Sequence, residues 1–516
     1  MATFKIKQGR DIRLKGAAEK SVVDLPLPQQ AGVDPSDFKG LKARLCVKVN
    51  DSVKVGSPLF EDKAYPAVKV VSPLSGKVLA INRGEKRFFL NIVIEADGRQ
   101  EPVRFRKFSR HPEIPKEFRV QSPGNASHSA GHPEIPKEFR VQSPGNASHS
   151  AGHPEISEKF PGLSPGNPKD FTGHSAGQDI LGLSGEDITK VLLEGGLWPV
   201  IRQRPFSRIA HPDEAPKSIF VHAMNTEPLA PDMDFILEGK EERFQAGLDI
   251  LKKLTKGKVY VCAQEGAMSK ALTSAQGVEL HYFSGPHPSG NIGTHIHYLD
   301  SVHKSDHVWY IEAQDVLRIA ALFLEGVYSA ERIVALTGEG AAKRVYAKTI
   351  VGAPLSLLLR GSKLDGMRCI SGSVLTGKDV GVNGFLRFYD SQVTVIPAGG
   401  KRELLGWLSL GLRKYTFSRT FASSFLPQRE VSLTSDKNGS DRAIVLNDVY
   451  DGLVSLDIMT YFLLKAVIVG DIEEAEKLGI LECDEEDFAL CTFACPSKTD
   501  VGGIIREALD LIEKEG

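Results

Sequence analysis

Between Val47 and Gly84 the chain reads "VKVNDSVKVGSPLFEDKAYPAVKVVSPLSGKVLAINRG". Val and Ile alternate with polar residues, and Gly56, Pro58, Pro66, Pro73 and Gly76 punctuate the runs. Short strands closely spaced by such turns predict a small β-sandwich or barrel, assigned to residues 1–108. From about 180 the period changes. "KSIFVHAM", "GKVYVCA", "VELHYF", "HVWYIEA" and "RIVALTG" are short apolar runs. Segments with helical spacing, "RFQAGLDILKKL" and "AQDVLRIAALFLEGVY", lie among them. This alternation predicts a mostly parallel sheet flanked by helices over 179–355. The pattern turns β-rich again in "RCISGSVLTG" and "FLRFYDSQVTVIPAGG", predicting a second β module over 356–440 with a connecting segment. From 441 to 516, "DIEEAEKLG" and "GGIIREALDLIEKEG" space Ile, Leu and Ala as helices do.

Residues 109–178 follow none of these periods. "HPEIPKEFRVQSPGNASHSAG" occupies 111–131 and recurs identically at 132–152, and a degraded copy begins at His153. The unit is poor in large apolar residues and rich in Pro, Gly, Ser and Asn, so it cannot build a solenoid core. It is expected to be a linker or surface insertion. Six of the 14 histidines fall between 111 and 174, copied along with the rest of the unit.

Composition narrows the function classes. The chain has 516 residues, 41% of them hydrophobic, and a formal net charge of −1 from 64 basic and 65 acidic side chains. No basic excess points to nucleic acid. The charged N-terminus "MATFKIKQGRDIRLKG" predicts no secretory signal. The most apolar long stretch, "VYDGLVSLDIMTYFLLKAVIVGD", is interrupted by Asp451, Asp457 and Lys465, short of the ~18 apolar residues of a span. Six cysteines are too few for a disulfide framework. The expectation is a reduced, cytoplasmic chain whose membrane contact runs through partners.

Several stretches invite chemistry. "GPHPSGNIGTHIHYLD" (285–300) holds three histidines and three glycines. His295 and His297 would share one face of a strand, but no Cys or Glu stands at a recognised ligand spacing, and the glycines match neither dinucleotide nor P-loop order. A turn between strands, with packed histidines, is expected. "VALTGEGAAKR" puts Gly338 and Gly340 after a strand without the third glycine of a dinucleotide loop, and a strand-to-helix turn is expected. "CTFACP" holds Cys491 and Cys495, with Cys483 upstream, one short of the four thiolates of an iron–sulfur cluster. Lys63, in "LFEDKAYP", stands where a biotinyl or lipoyl carrier presents its modified lysine. "GGLWPVIRQRPFSR" gathers Trp198, Arg202, Arg204 and Phe206 with Arg208. Rings beside guanidinium groups suit either an anionic or planar ligand or a partner surface, and both readings stand.

Together, "FKIKQGRDI", "LKGAAE", "LFEDKAYPAVKVVSPLSGKVLAINRGEKR", "LLEGGLWPVIRQRPFS", "GPHPSGNIGTHIHYLD", "VWYIEAQDV", "CISGSVLTG", "GWLSLG" and "DEEDFALCTFACPSK" resemble one family: the A subunit of the sodium-translocating NADH:quinone oxidoreductases. The resemblance covers nearly the whole chain except about 109–178. That family is related to the flavin- and NADH-binding subunit of respiratory complex I and to the C subunit of the Rnf complex. The relationship implies a biotinyl-like domain, a Rossmann-like domain, a β-grasp domain of the soluble ligand-binding (SLBB) type and a helical C-terminal domain. It implies a peripheral subunit, on the cytoplasmic side of the bacterial inner membrane, of a complex that oxidises NADH, reduces ubiquinone and exports Na+ with flavins and iron centres held elsewhere. Its partners would be the B to F subunits. This chain would carry no cofactor, metal or catalytic residue of its own, Cys491 and Cys495 being vestigial ligands. Trp198, Arg202, Arg204 and Phe206 would form a quinone or partner contact. The alternative is a flavin- or NADH-binding electron-transfer protein that keeps its cofactor.

Overall fold

The computed structural model describes residues 2–84, 89–110, 179–400, 405–427, 429–444 and 448–515. The expectations for the repeat at 111–178 lie outside them. Two small antiparallel sheets form the first β module. One runs in the order Gln30–Val33, Phe89–Ala96, Gly76–Arg83, Ser52–Val53, and the other in the order Ala43–Leu45, Pro58–Asp62, Lys69–Val71. Leu59, Phe60, Leu74, Val78, Ile92 and Ile94, all fully buried, fill its interior.

The α/β module is a seven-stranded sheet in the order Thr3–Lys5, Glu279–Ser284, Lys258–Gln264, Ser218–Ala223, Val308–Glu312, Arg202–Arg204, Arg208–Ile209. Its first five strands are parallel, and the last two form an antiparallel hairpin on one edge. Alternate side chains serve opposite faces. Ile219, Val221 and Val261 pack with Leu248 of helix Glu241–Leu251 and Val316 and Ile319 of helix Ala313–Glu325. Phe220, Tyr260 and Cys262 pack with Ile292 and Ile296 of helix Ile292–Asp300. Burial on both faces explains why these strands read as continuous apolar runs.

Three expectations change here. Residues 292–300 form a helix, not a link between strands, so His295 and His297 do not share a face. Strand Glu331–Thr337, expected to close the βα series, belongs to a second sheet, which therefore starts well before residue 356. That sheet runs in the order Lys378–Asp379, Met367–Ser371, Gln392–Pro397, Glu331–Thr337, Val345–Ile350, Glu19–Asp24. Gly338 and Gly340 sit in the connection from Glu331–Thr337 to its antiparallel neighbour, a strand-to-strand turn in place of the expected strand-to-helix one.

The N-terminus also departs from expectation. Residues 3–5 and 19–24 lie outside the first β module and complete one edge of each larger sheet. The C-terminal region is helical as the spacing predicts. Helices Thr460–Val469, Ile472–Lys477, Ala489–Ala494 and Val501–Glu515 bury Leu463, Leu464, Leu490, Ile505 and Leu509 together.

Candidate functional site

The hairpin Arg202–Ile209 lies where all four modules meet. Its first strand puts Arg202 and Arg204 on one side and Gln203 on the other. Arg202 is about one-fifth exposed. Its guanidinium lies 4.5 Å from the Tyr310 ring centre and 4.6 Å from that of Tyr389, and it donates to Glu312 at 3.1 Å. A flat cation between two aromatic faces is held by stacking as well as by charge.

Arg204 is 1% exposed and donates to Glu486 at 2.8 Å, with Asp484 at 3.7 Å and Asp487 at 3.6 Å. Burial opposes its charge, but Asp484, Asp487 and Glu486 raise its pKa. Those three acids do not behave alike. Burial pushes the carboxyls of Glu486 and Asp487 up. Asp484, against the same desolvation, is held far down by Lys39, Arg204 and Arg506. Arg506 pairs with both Asp484 and Glu485, at 2.5 and 3.1 Å.

Behind Arg202 lies a second charged chain. His222 contacts Glu312 through Nδ1 at 3.1 Å and the Gly290 carbonyl through Nε2 at 2.6 Å. Both partners are acceptors, so both ring nitrogens carry protons. Burial disfavours that cation, but Glu312 and the Gly290 carbonyl outweigh it and raise the His222 pKa. Glu312, despite its own desolvation, is lowered to about 2 by His222 and Arg202.

A cavity of about 410 Å³ opens over this junction. The first β module contributes Asp37 and Lys39, the second sheet's module Arg387 and Tyr389, and the C-terminal region Glu486 and Arg506, with Arg202 on the α/β side. Arg387 is itself held by Asp37 at 2.6 Å. Arg202, Arg387 and Tyr389 face the cavity and can meet an anionic or carbonyl-bearing group there, and Glu486 lines the same space.

The four predicted contact residues do not form one surface. Trp198 is fully buried, donates its indole N–H to the Ala210 carbonyl at 2.7 Å and meets Trp309 edge-on at 5.4 Å. Arg204 is an internal counter-ion. Phe206, partly buried, packs on the C-terminal core, and its carbonyl accepts from Arg506. Of the four, Arg202 alone lines the cavity. Tyr310, Glu312 and the acids 484–487 lie in stretches that carry the family resemblance, but no chemical pattern singles them, His222 or Tyr389 out as site residues. The one available signal is the complementarity of "RQRPFSR" with the distant acidic run "DEED".

The histidines of 285–300 are bound into the fold. His295 is fully buried, hydrogen-bonded to the Ser289 carbonyl at 3.1 Å and packed on Phe283. His297 pairs with Glu482 at 2.6 Å and accepts from the Asp457 amide. Gly285 has φ +131°, and a Cβ there would lie 2.2 Å from the Ile6 carbonyl oxygen, so this glycine serves close packing of the N-terminal strand.

A Cβ at Gly195 would strike Leu322, and one at Gly196 would strike Val71, so both glycines are closely packed. Cys483, Cys491 and Cys495 are buried free thiols, with the Tyr450 hydroxyl 2.9 Å from the Cys495 sulfur. Among the described residues no group of three or more His, Cys, Asp or Glu side chains is gathered to hold a metal. Lys63 is exposed in the turn after Pro58–Asp62, its amide bonded to the Lys42 carbonyl.

Three family models match: the NqrA N-terminal barrel-sandwich hybrid domain at 4–97, the NqrA second alpha/beta domain at 183–328 and the NQRA C-terminal domain at 333–381. The gap between the last two falls where the chain passes from one large sheet to the other. Curated relatives that carry the name of the A subunit of Na(+)-translocating NADH-quinone reductase align along their whole length. Those of Neisseria meningitidis serogroup A and Cellvibrio japonicus are 35% and 37% identical over 515 and 517 residues, covering 99% of this chain and 100% of theirs. That of Hahella chejuensis is 37% identical with the same coverage. A solved NAD+-reducing NiFe-hydrogenase chain superposes over 36% of this chain and 41% of its own, at 14% identity and a TM-score of 0.27, too loosely to inform the fold. The chain belongs to the NqrA family, the A subunit of the Na(+)-translocating NADH-quinone reductases.

Proposed function

We infer that the chain works as the A subunit of a sodium-translocating NADH:quinone reductase, assembled with the other subunits of that complex. The observation that carries this is the end-to-end relationship: relatives of that name match over their entire length, across all modules. The complex oxidises NADH, reduces ubiquinone and exports Na+, with the B to F subunits as this chain's partners on the cytoplasmic face of the membrane. Among the described residues no helix is long and apolar enough to cross a membrane, which accords with a peripheral place. The modules are read as a biotinyl-like β domain, a Rossmann-like domain, a β-grasp domain of the SLBB type and a helical domain.

Within the complex the chain serves assembly and the quinone-reducing side and holds no flavin, iron–sulfur cluster or NADH. The incomplete cysteine set supports that reading. The cavity lined by Arg202, Arg387 and Tyr389 is its proposed contact for a quinone headgroup, because guanidinium groups donate hydrogen bonds to carbonyl oxygens. Affinity purification from membranes tests membership, and recovery of the other pump subunits is expected. An absorption spectrum of the purified chain tests the cofactor reading, and a stoichiometric flavin or iron–sulfur band overturns it. Arg202→Ala is expected to lower quinone reductase activity in an assembled complex, and unchanged activity removes Arg202 from the quinone step.

A further inference from the structure

The segment from Leu405 to Pro427 is held largely by its own hydrogen bonds. It holds itself together: the Ala422 amide bonds to the Leu410 carbonyl at 2.9 Å, Ser423 Oγ to the Lys414 carbonyl at 2.6 Å, and Lys414 Nζ to the Gly406 carbonyl at 2.7 Å. It is pinned to the body by Tyr415 and Phe417, whose rings lie against Phe493, and by Arg10, which stacks on Phe417 at 4.7 Å. These anchors turn two aromatic rings inward and leave other apolar side chains outward. Leu410 is 77% exposed and Phe425 90%, with Leu405, Leu408, Leu412 and Leu426 between 41% and 63%. Scattered single apolar residues are normal on a surface, but six within 22 positions on one ordered segment mark an interaction surface.

Charge identifies the occupant. Between 404 and 429 the sequence has Arg413, Lys414, Arg419 and Arg429 and no acidic residue, in a chain with 64 basic and 65 acidic side chains overall. Arg413, Arg419 and Arg429 are exposed beside the apolar side chains. Leucine is under-represented at protein–protein hot spots, whereas leucine and phenylalanine rimmed by cations without acids is the composition of a segment lying in a bilayer interface. We propose that residues 405–429 form a membrane-contact surface that seats directly on anionic lipid, its leucines and Phe425 entering the interface and its arginines meeting lipid phosphates. This contact adds to attachment through partner proteins and does not depend on the role assigned to the cavity.

The test is co-sedimentation of the purified full chain with vesicles. Binding to vesicles containing phosphatidylglycerol is expected, weaker on pure phosphatidylcholine and falling as salt rises. Leu410→Asp combined with Phe425→Asp, and separately Arg413→Glu combined with Arg419→Glu, are each expected to reduce binding about tenfold or more. Met268→Asp, at a lone residue 83% exposed elsewhere, is expected to leave binding unchanged. Unaltered circular dichroism in every variant excludes misfolding. The proposal is overturned if the wild-type chain stays in the supernatant, or if Met268→Asp matters as much. It is equally overturned if the chain ignores vesicles while the same variants lose co-purification with membrane proteins of the complex, which makes the surface a protein interface.

Discussion

Arg204 and Glu486, 282 residues apart in sequence, meet at 2.8 Å inside the protein and bind the edge of the α/β sheet to the C-terminal region. Asp484 and Asp487 stand within 4 Å of the same guanidinium. Removing one member of a buried ionic cluster costs more than the cluster contributes as a whole, because the remaining charges lose their solvation without recompense. Arg204→Met should therefore destabilise the protein by about 3–5 kcal/mol, read as a lower midpoint in urea. Adding Glu486→Gln and Asp487→Asn to that variant should restore much of the loss. A single variant as stable as wild type would show that the cluster does not join the two regions.

Glu312 has a pH signature. Its folded pKa of about 2 lies below its ordinary value of 4.5. Its contribution to stability is thus complete above 4.5 and lost as pH falls from there toward 2. His222 has the opposite sense: raised above 6.5, it stabilises below that value and loses its contribution as pH climbs. Glu312→Gln should flatten the decline of stability between pH 4.5 and 2 by on the order of 2 kcal/mol. It should also lower the His222 titration midpoint seen by NMR. An unmoved His222 resonance would dissolve the proposed pair.

Gly293 opens the helix Ile292–Asp300, where alanine would ordinarily be the better helix former by about 1 kcal/mol. Here a Cβ would sit 2.6 Å from both Asp487 carboxylate oxygens. Gly293→Ala should cost about 1–2 kcal/mol through displaced packing. Gly182→Ala, where nothing lies within 4 Å, should be neutral or slightly stabilising. Equal effects at the two sites would contradict the close approach.

The thiols give a direct check on burial. Cys46 is exposed, whereas Cys262, Cys369, Cys483, Cys491 and Cys495 are buried. A chromogenic thiol reagent should react with one group in the native chain, slowed because burial and Glu61 raise the Cys46 pKa, and with all six in denaturant, and Cys46→Ser should abolish the native reaction. Rapid native labelling of Cys491 or Cys495 would mean that the helical region opens readily.

Much of the architecture was legible from local pattern. The strands at 218–223, 258–264, 279–284 and 308–312 stand where apolar runs predicted them, because a doubly covered sheet demands such runs. Pattern failed where a partner strand decided the outcome. Nothing in "FKI" or "EKSVVD" says that these short segments add to sheets built some 280 and 325 residues later. The strand Glu331–Thr337 looks like its predecessors, and only its pairing with Gln392–Pro397 assigns it elsewhere. For "GPHPSGNIGTHIHYLD" the glycines suggested a turn throughout, while the buried face that makes 292–300 a helix is supplied by Phe220, Tyr260 and Phe283. The site was half legible. Arg202 was among the residues picked out, but its slot is made by Tyr310 of the neighbouring strand and Tyr389 of the second sheet's module, and Trp198 and Arg204 advertised a surface although both are interior.

The two N-terminal strands carry a consequence for the order of synthesis. Residues 3–5 pair with 282–284, and residues 22–24 pair with 346–348. These two segments are made well before their neighbours, which follow only after more than half of the 516 residues exist. Until then they offer unpaired strand edges to whatever is nearby, a hazard for pairings of such long sequence separation. The first β module can close while those segments wait, so each large sheet depends at one edge on residues made long before its other strands.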